Sequence, residues 1–381
     1  MSKGRCFFTL YKFELLKILK NKVAIVTFFI FFVFTFIQGE FEITGNIEPS
    51  DIEKYKAFNG RVVDDEYIEE LKAVIDEDSE SISDEDKAYY DLKAWVDSVY
   101  DKDVDYANIS SAQIYEERRN GIEEGYLEEK LSEGEISYWR EKESEVDKPF
   151  VFFSDWIPSG VLEGTTNFSI YMIILVATSL AMIFSMETQR KTDPMIRATV
   201  NGTGKLYFAK VLAGFTYIIS SLIIIVVGFL SYFGMRWGYS GMSAAVQMYW
   251  PLASEKMSIW QLEGILIMML IVFSLLLSAF ALFISNVTRN GVATMAVVIG
   301  GSIGMFVLAS SIPMKHRYLS QAVQLFSPSV ISSRLVYEFR LIKLGSYFTV
   351  YEFIPMLYIF LSVVLIIAGY LFYKKYQIKC N

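Results

Sequence analysis

The stretch "ATVNGTGKLYFAK", residues 198–210, contains Gly202-Thr203-Gly204-Lys205, which looks like the end of a phosphate-gripping loop. Such a loop needs G-x-x-x-x-G-K-[ST], so that backbone N–H groups curl round the phosphates and a hydroxyl holds magnesium. Counting back from Gly204, the first glycine position is occupied by Thr199, and Leu206 follows the lysine. Both essential positions fail, and an apolar helix, not a buried strand, precedes the segment. "DKDVDYANISSA", from Asp101, similarly mimics a calcium loop, but Tyr106 stands at the turn glycine and Ala112 at the closing glutamate. The single histidine, His316, cannot build a multi-histidine metal site, and no Ser-His-Asp spacing stands out. Cys6 and Cys380 lie one near each end, so the acidic segment between them has no disulfide framework. These residues do not assemble an enzyme, and no catalytic, cofactor or metal residue is expected.

What surrounds them is more informative. Of the 381 residues, 53% are hydrophobic and only 20% charged. Residues 40–163 hold 36 of the 43 acidic residues against 13 Lys and Arg, a net charge of −23, and the remainder carries +15. An acidic insert in an apolar, mildly basic chain marks a membrane protein with one exposed domain. Apolar runs at 23–37, 168–186, 211–233, 262–284, 292–312 and 353–373 are each expected to cross roughly 30 Å of hydrocarbon. Residues 5–20 are amphipathic: Phe7, Phe8, Tyr11, Leu15, Ile18 and Leu19 share one face, and Lys12, Glu14, Lys17 and Lys20 lie near the other. This predicts a helix in the membrane surface, or one packed on protein.

Basic residues cluster in the N-terminal stretch, between spans two and three, and in the tail, which places both termini in the cytoplasm and residues 40–166 outside. The loop 313–351, with Lys315, Arg317, Arg334, Arg340 and Lys343, runs against that rule and is read as amphipathic short helices broken at Pro328. The insert is expected to be mainly helical. Ser83 is a candidate N-cap, Tyr89, Leu92, Trp95 and Val99 form a stripe, and bends are expected at Gly121, Gly125 and Gly134. The class is thus an all-α polytopic membrane protein: an interfacial helix (1–22), a first span (23–39), an acidic insert (40–166) and five spans (167–381).

"KTDPMIRATVNG" has the punctuation of a short helix, with Thr192 or Asp193 as cap, Pro194 in the first turn and Asn201-Gly202 at the end. Here the chain resembles the membrane subunit of a type-2 ATP-binding-cassette exporter. That family has an interfacial helix, six spans, and a cytoplasmic loop that runs from a glutamate through a small coupling helix to a glycine and a lysine. The matching positions are Glu187, 193–200, Gly202 and Lys210, in a loop spanning 187–210. The segment "SEGEISYWREKESEVDKPFVFF" resembles Gram-positive exporter permeases with a large domain between the first two spans, a group associated with antimicrobial-peptide export, immunity or envelope stress.

The resemblance implies a bacterial plasma-membrane location and a separate ATPase subunit dimer carrying ATP and Mg, since this chain has no Walker motif. It also implies a second, identical or related permease, membrane lipid as a partner, and no nucleic acid. The expected coupling residues are Glu187, Asp193, Pro194, Met195, Ile196, Arg197, Gly202 and Arg289. Glu187 reads as paired with a basic group or as a solvated charge, and Arg289 as an ATPase contact or a positive-inside anchor. Phe150, Phe152, Phe153 and Trp156 read as an aromatic belt or a lip that receives substrate, and Gly300, Gly301 and Gly304 as helix-packing positions. The expected cargo is amphipathic or lipid-like, with an antimicrobial peptide among the candidates. The alternative is a sensor or immunity protein that binds such a peptide through the insert and transports nothing.

Overall fold

The computed structural model describes residues 3–44, 58–75, 89–100, 104–154, 156–199, 202–312 and 316–375. Ser83, Asp101, Val200, Asn201, Lys315 and Cys380 lie outside them. Six helices among these residues are long and apolar enough to cross a membrane. Four are uninterrupted beyond the first: α2 (Lys22–Thr44) leads, and α10 (Gly204–Arg236), α11 (Ile259–Thr288), α12 (Gly291–Ser311) and α14 (Val350–Lys375) follow. The remaining span is made of α7 (Trp156–Leu180) and α8 (Met182–Gln189), with a break at Ala181. It begins a dozen residues before the apolar run that announces it.

That break is stabilised from a neighbour. Ser285 Oγ of α11 donates to the Ala181 carbonyl at 2.7 Å. An interrupted helix at membrane depth survives where its backbone groups find partners in protein.

The most hydropathic span, α11, is the hub and packs against α7, α10, α12 and α14. It presents small polar residues to its neighbours: Ser274, Ser278 and Ser285 are fully buried. With no hydrophobic drive between helices in lipid, such residues let backbones approach closely. The matching stripe on α14 is Val350, Ile354, Tyr358 and Ser362, four apart, followed by Gly369 and Tyr373. Asn286 Nδ2 donates to the Gly369 carbonyl at 2.8 Å and closes this contact.

The N-terminal helix α1 (Lys3–Leu19) lies against α10. Ile18 is buried there, and Tyr11 donates to Thr216 Oγ1 at 3.1 Å. Phe8, Phe13 and Leu19 stay exposed, so the helix is fastened to a span on one side and apolar on the other.

The insert contains α3 (Asp65–Val74), α4 (Tyr90–Val99), α5 (Ser111–Glu128) and α6 (Glu133–Ser144). Asp64 caps α3 through the Tyr67 N–H, and Ser110 with Gln113 and Ser132 with Glu135 form capping boxes. Leu92, Trp95, Val96 and Val99 turn inward as their spacing requires.

Gly121 and Gly125 do not bend the chain; both lie inside the continuous α5. They admit neighbours, since a Cβ on Gly125 would come within 2.9 Å of the Phe339 ring. Ile122, Tyr126 and Trp139 of the insert form one small core with Phe339 and Leu341.

The loop before α14 holds α13 (Arg317–Gln324) and 3-10 turns at Pro328–Val330 and Ser333–Val336. It also holds an antiparallel hairpin, β1 (Leu341–Leu344) with β2 (Ser346–Thr349), turning on Gly345 at φ +82°. The described chain is mostly helical, as an all-α polytopic protein requires, and this short hairpin is a local addition in which β-branched and aromatic residues on either side of a glycine pair as strands.

Candidate functional site

Opposite the insert, at what we term the basal end, charged side chains leave the solvent and meet. Lys210, in the second turn of α10, is fully buried. Its Nζ donates to Glu187 Oε1 of α8 at 2.7 Å, to Glu14 Oε2 of α1 at 3.3 Å and to the Ile183 carbonyl at 2.9 Å. Lys17 of α1 reaches Glu14 at 2.6 Å and Glu187 at 3.2 Å. Two ammonium and two carboxylate groups balance, and the three donors of Lys210 find three acceptors. Burying a charge costs several kcal/mol, which is repaid only by such pairing. Of the two sequence readings of Glu187, pairing is the one observed.

A second cluster adjoins it on α9 (Asp193–Arg197). Asp193 accepts from Arg197 Nε at 2.8 Å and from Arg289 Nη1 at 2.9 Å. Arg197 Nη1 donates to the Tyr373 carbonyl of α14 at 2.9 Å, and its guanidinium lies 4.2 Å from the Tyr373 ring centroid. Arg289 is the left-handed residue that ends α11, at φ 54°. Its side chain is only 8% exposed. Turned inward on Asp193, it ties α9 to the α11–α12 turn. Gly202 is required, since a Cβ there would collide with the Ile196 carbonyl oxygen. The outward face of α9 carries Pro194 and Met195, and Met195 is 74% exposed; Ile196 is half-buried.

Sequence reasoning brought Glu187, Lys210, Asp193 and Arg197 to one loop. It did not assign roles to Glu14, Lys17 or Tyr373. The available signal for Glu14 was its being the lone acid in a basic amphipathic helix. Tyr373, one of 24 tyrosines, offered none.

Two other groups are corrected. Phe150 and Phe152, each 2% exposed, lie in the core of the insert and form neither belt nor lip. Phe153 packs partly buried against the same core, and Trp156 donates its indole N–H to Asp91 at 2.6 Å. Among the described residues, Gly300, Gly301 and Gly304 have no heavy atom within 4 Å of a notional Cβ, so none of these packs against them.

The insert is held on the loops of its own end by arginine hydrogen bonds and an ion pair. Arg118, fully buried, forms a fork with Glu143 at 2.6 and 3.1 Å and donates to the Pro251 and Ala253 carbonyls, each at 2.6 Å. Arg317 forks onto Glu135 at 3.0 and 3.2 Å. Burial pushes the Glu143 and Glu135 carboxyls up, but the arginine hydrogen bonds and charges outweigh it and hold both below the usual range. For Glu255 and Glu338 burial prevails, and their carboxyls are raised despite partners in Tyr351 and Arg340.

Six apolar spans define a membrane-embedded polytopic protein. No protein-family model, no curated protein and no solved structure matches the chain.

Proposed function

We propose that this chain is the permease subunit of an exporter whose energy comes from a separate ATPase, and that α9 is where the ATPase pushes. The observation that carries the reading is the wiring of α9. This five-residue helix is tied through Asp193 to the α11–α12 turn and through Arg197 to the end of α14. The neighbouring Glu187–Lys210 pair ties α8, which leads into α9, to α10 and α1. A displacement of α9 therefore reaches α11 and α14 through direct bonds, and α8 and α10 through the neighbouring pair. Meanwhile Met195 points away from all of them, as an apolar knob does when it has a cavity elsewhere to fill.

In this reading the basal end is cytoplasmic and the acidic insert faces outward. Among the described residues no group of three or more His, Cys, Asp and Glu side chains is placed to hold a metal ion. The chain's part is mechanical, and its cargo an amphipathic molecule.

The test is purification of the chain with its native ATPase, reconstitution into vesicles, and comparison of the parent with Met195→Asp. Met195 is 74% exposed, so the variant should fold and bind cargo while ATP-driven movement falls at least about tenfold, as loss of one interface anchor implies. Undiminished movement would remove α9 from the mechanism. Cargo binding with no ATP-dependent movement in the parent would favour the sensor reading instead.

A further inference from the structure

A groove of about 750 Å³ opens between α7 and α12 at the insert end, within the size range of ligand sites. Its walls change character with depth. On α7 they run from Glu163 through Thr166 and Asn167 to Ile170 and Ile174, and on α12 from Ser310 through Phe306 and Ile303 to Ile299. Apart from Ser169 and Ser302, the latter bonded to the Val298 carbonyl of its own helix, both helices go from polar at the insert end to apolar toward the middle of the bundle. Each wall covers about 16 Å at 1.5 Å per residue, close to half of the roughly 30 Å hydrocarbon thickness. The groove is thus as deep as one leaflet and open sideways to it, since Ile170, Ile303 and Phe306 are half-exposed or more.

Its mouth is charged in a particular way. Arg340 is engaged by Glu338 at 3.0 Å and by Gln324. Arg334 and Glu163 also line the groove, and neither forms an ion pair within 4 Å among the described residues. One cation and one anion are left to face whatever enters. A cationic peptide would call for an excess of carboxylates here, and a purely anionic amphiphile would leave Glu163 opposed to it.

We propose that this groove binds a single phospholipid of the insert-side leaflet whose headgroup carries both a phosphate and a primary ammonium. Arg334 takes the phosphate, Glu163 accepts hydrogen bonds from the ammonium, and the acyl chains lie along Ile170, Ile174, Ile303 and Phe306. Charge-assisted hydrogen bonds at both ends of the headgroup supply the selectivity. The proposal rests on the transport reading only in taking the groove as the cargo site, and it names the class of cargo.

The test uses the full chain in phosphatidylcholine nanodiscs with a trace of phosphatidylethanolamine bearing a diazirine in one acyl chain. After irradiation, labelled peptides are mapped by mass spectrometry. Labels should fall on 163–174 and 299–310. Unlabelled phosphatidylethanolamine should displace the probe at about tenfold lower mole fraction than phosphatidylglycerol, the effect of one charge-assisted hydrogen bond. Soluble glycerophosphoethanolamine, lacking chains, should not displace it.

Glu163→Gln should make the two lipids compete equally, and Arg334→Gln should weaken both about tenfold. Both side chains are exposed, so neither substitution disturbs packing. Equal competition in the parent chain, labelling elsewhere, or indifference to both substitutions would overturn the proposal. The labelling needs neither ATPase nor ATP. A lipid that binds here but is never moved would count against the transport reading alone. ATP-driven movement of some other cargo with an unlabelled groove would count against this inference alone.

Discussion

Lys210 and Glu187 meet at 2.7 Å although one opens a span and the other closes the span before it. Between them lies the loop that carries α9, so the pair closes that loop at its base. Glu14 joins them from α1, nearly two hundred residues earlier in the chain.

Removing the cation leaves Glu187 and Glu14 buried with only Lys17 nearby. Lys210→Met should therefore cost about 3–5 kcal/mol, the usual price of breaking a buried pair. Glu187→Gln, which leaves Lys210 with Glu14, should cost less than half of that. Thermal unfolding in detergent measures both. In the double variant the losses should fall well short of additive, and simple additivity would mean that the two side chains do not interact.

Arg289→Gln should free α9 from the α11–α12 turn while leaving the spans in place. Amide hydrogen exchange should rise across 193–199 by about tenfold or more, given a hydrogen bond to a charged group worth about 1.5–3 kcal/mol. Exchange in α11 and α12 should stay unchanged. Protection of α9 equal to that of the parent chain would show that Arg289 does not hold it.

The backbone at Gly202 passes too close to the Ile196 carbonyl for any side chain. Gly202→Ala should disturb the turn between α9 and α10 at a cost of about 1–3 kcal/mol. Gly300→Ala, on an open helix face, should cost nothing measurable in the isolated chain. Melting temperatures of the two variants, side by side, decide this.

Stability of the insert end, the insert together with the loops beside it, should depend on pH in two directions. Glu143 and Glu135 have lowered folded values, so their contribution is full above the ordinary carboxylate range and is lost as pH falls through those lowered values. Glu255 and Glu338 have raised folded values, so their burial costs stability near neutrality and the cost is relieved as they take up protons on acidification. Stability should rise gently from pH 7 toward about 4.5 and fall below it. Glu143→Gln should flatten the acid limb, observable in the melting temperature followed by tryptophan fluorescence. A monotonic profile from pH 7 to 3 would contradict this balance.

Orientation is open to a direct measurement. With Cys6 and Cys380 replaced by serine, single cysteines at Met195 and at Leu127, both 74% exposed, report the two ends. In intact cells an impermeant maleimide should label the Leu127 position and spare the Met195 position. Labelling of both from outside would invert or abolish the proposed topology.

The six candidate spans, the acid-rich stretch 40–163 and the start of the short helix at Asp193 were legible in the chain, whereas that helix ends at Arg197, earlier than the expected Asn201-Gly202 stop. Each of the first three is announced by local chemistry: apolar length against bilayer thickness, charge that is costly to bury, and proline at a helix start. Burial was not legible in the same way. Phe150 and Phe152 look like membrane-belt residues because belts are aromatic, yet so are the cores of small domains, and only packing separates the two. Gly300, Gly301 and Gly304 show small residues, but whether a neighbour occupies the space they leave is a fact about another helix.

Sequence alone therefore determined how often the chain can cross a bilayer, because transfer free energies add along a segment regardless of what it touches. Only the tertiary structure decided that Glu14 and Lys17 share one buried cluster with Glu187 and Lys210, that Arg289 turns inward to Asp193, and that Glu163 and Arg334 stand over one groove. These relations join residues distant in sequence, and the pairing of charges depends on distances of a few ångströms that no local pattern encodes.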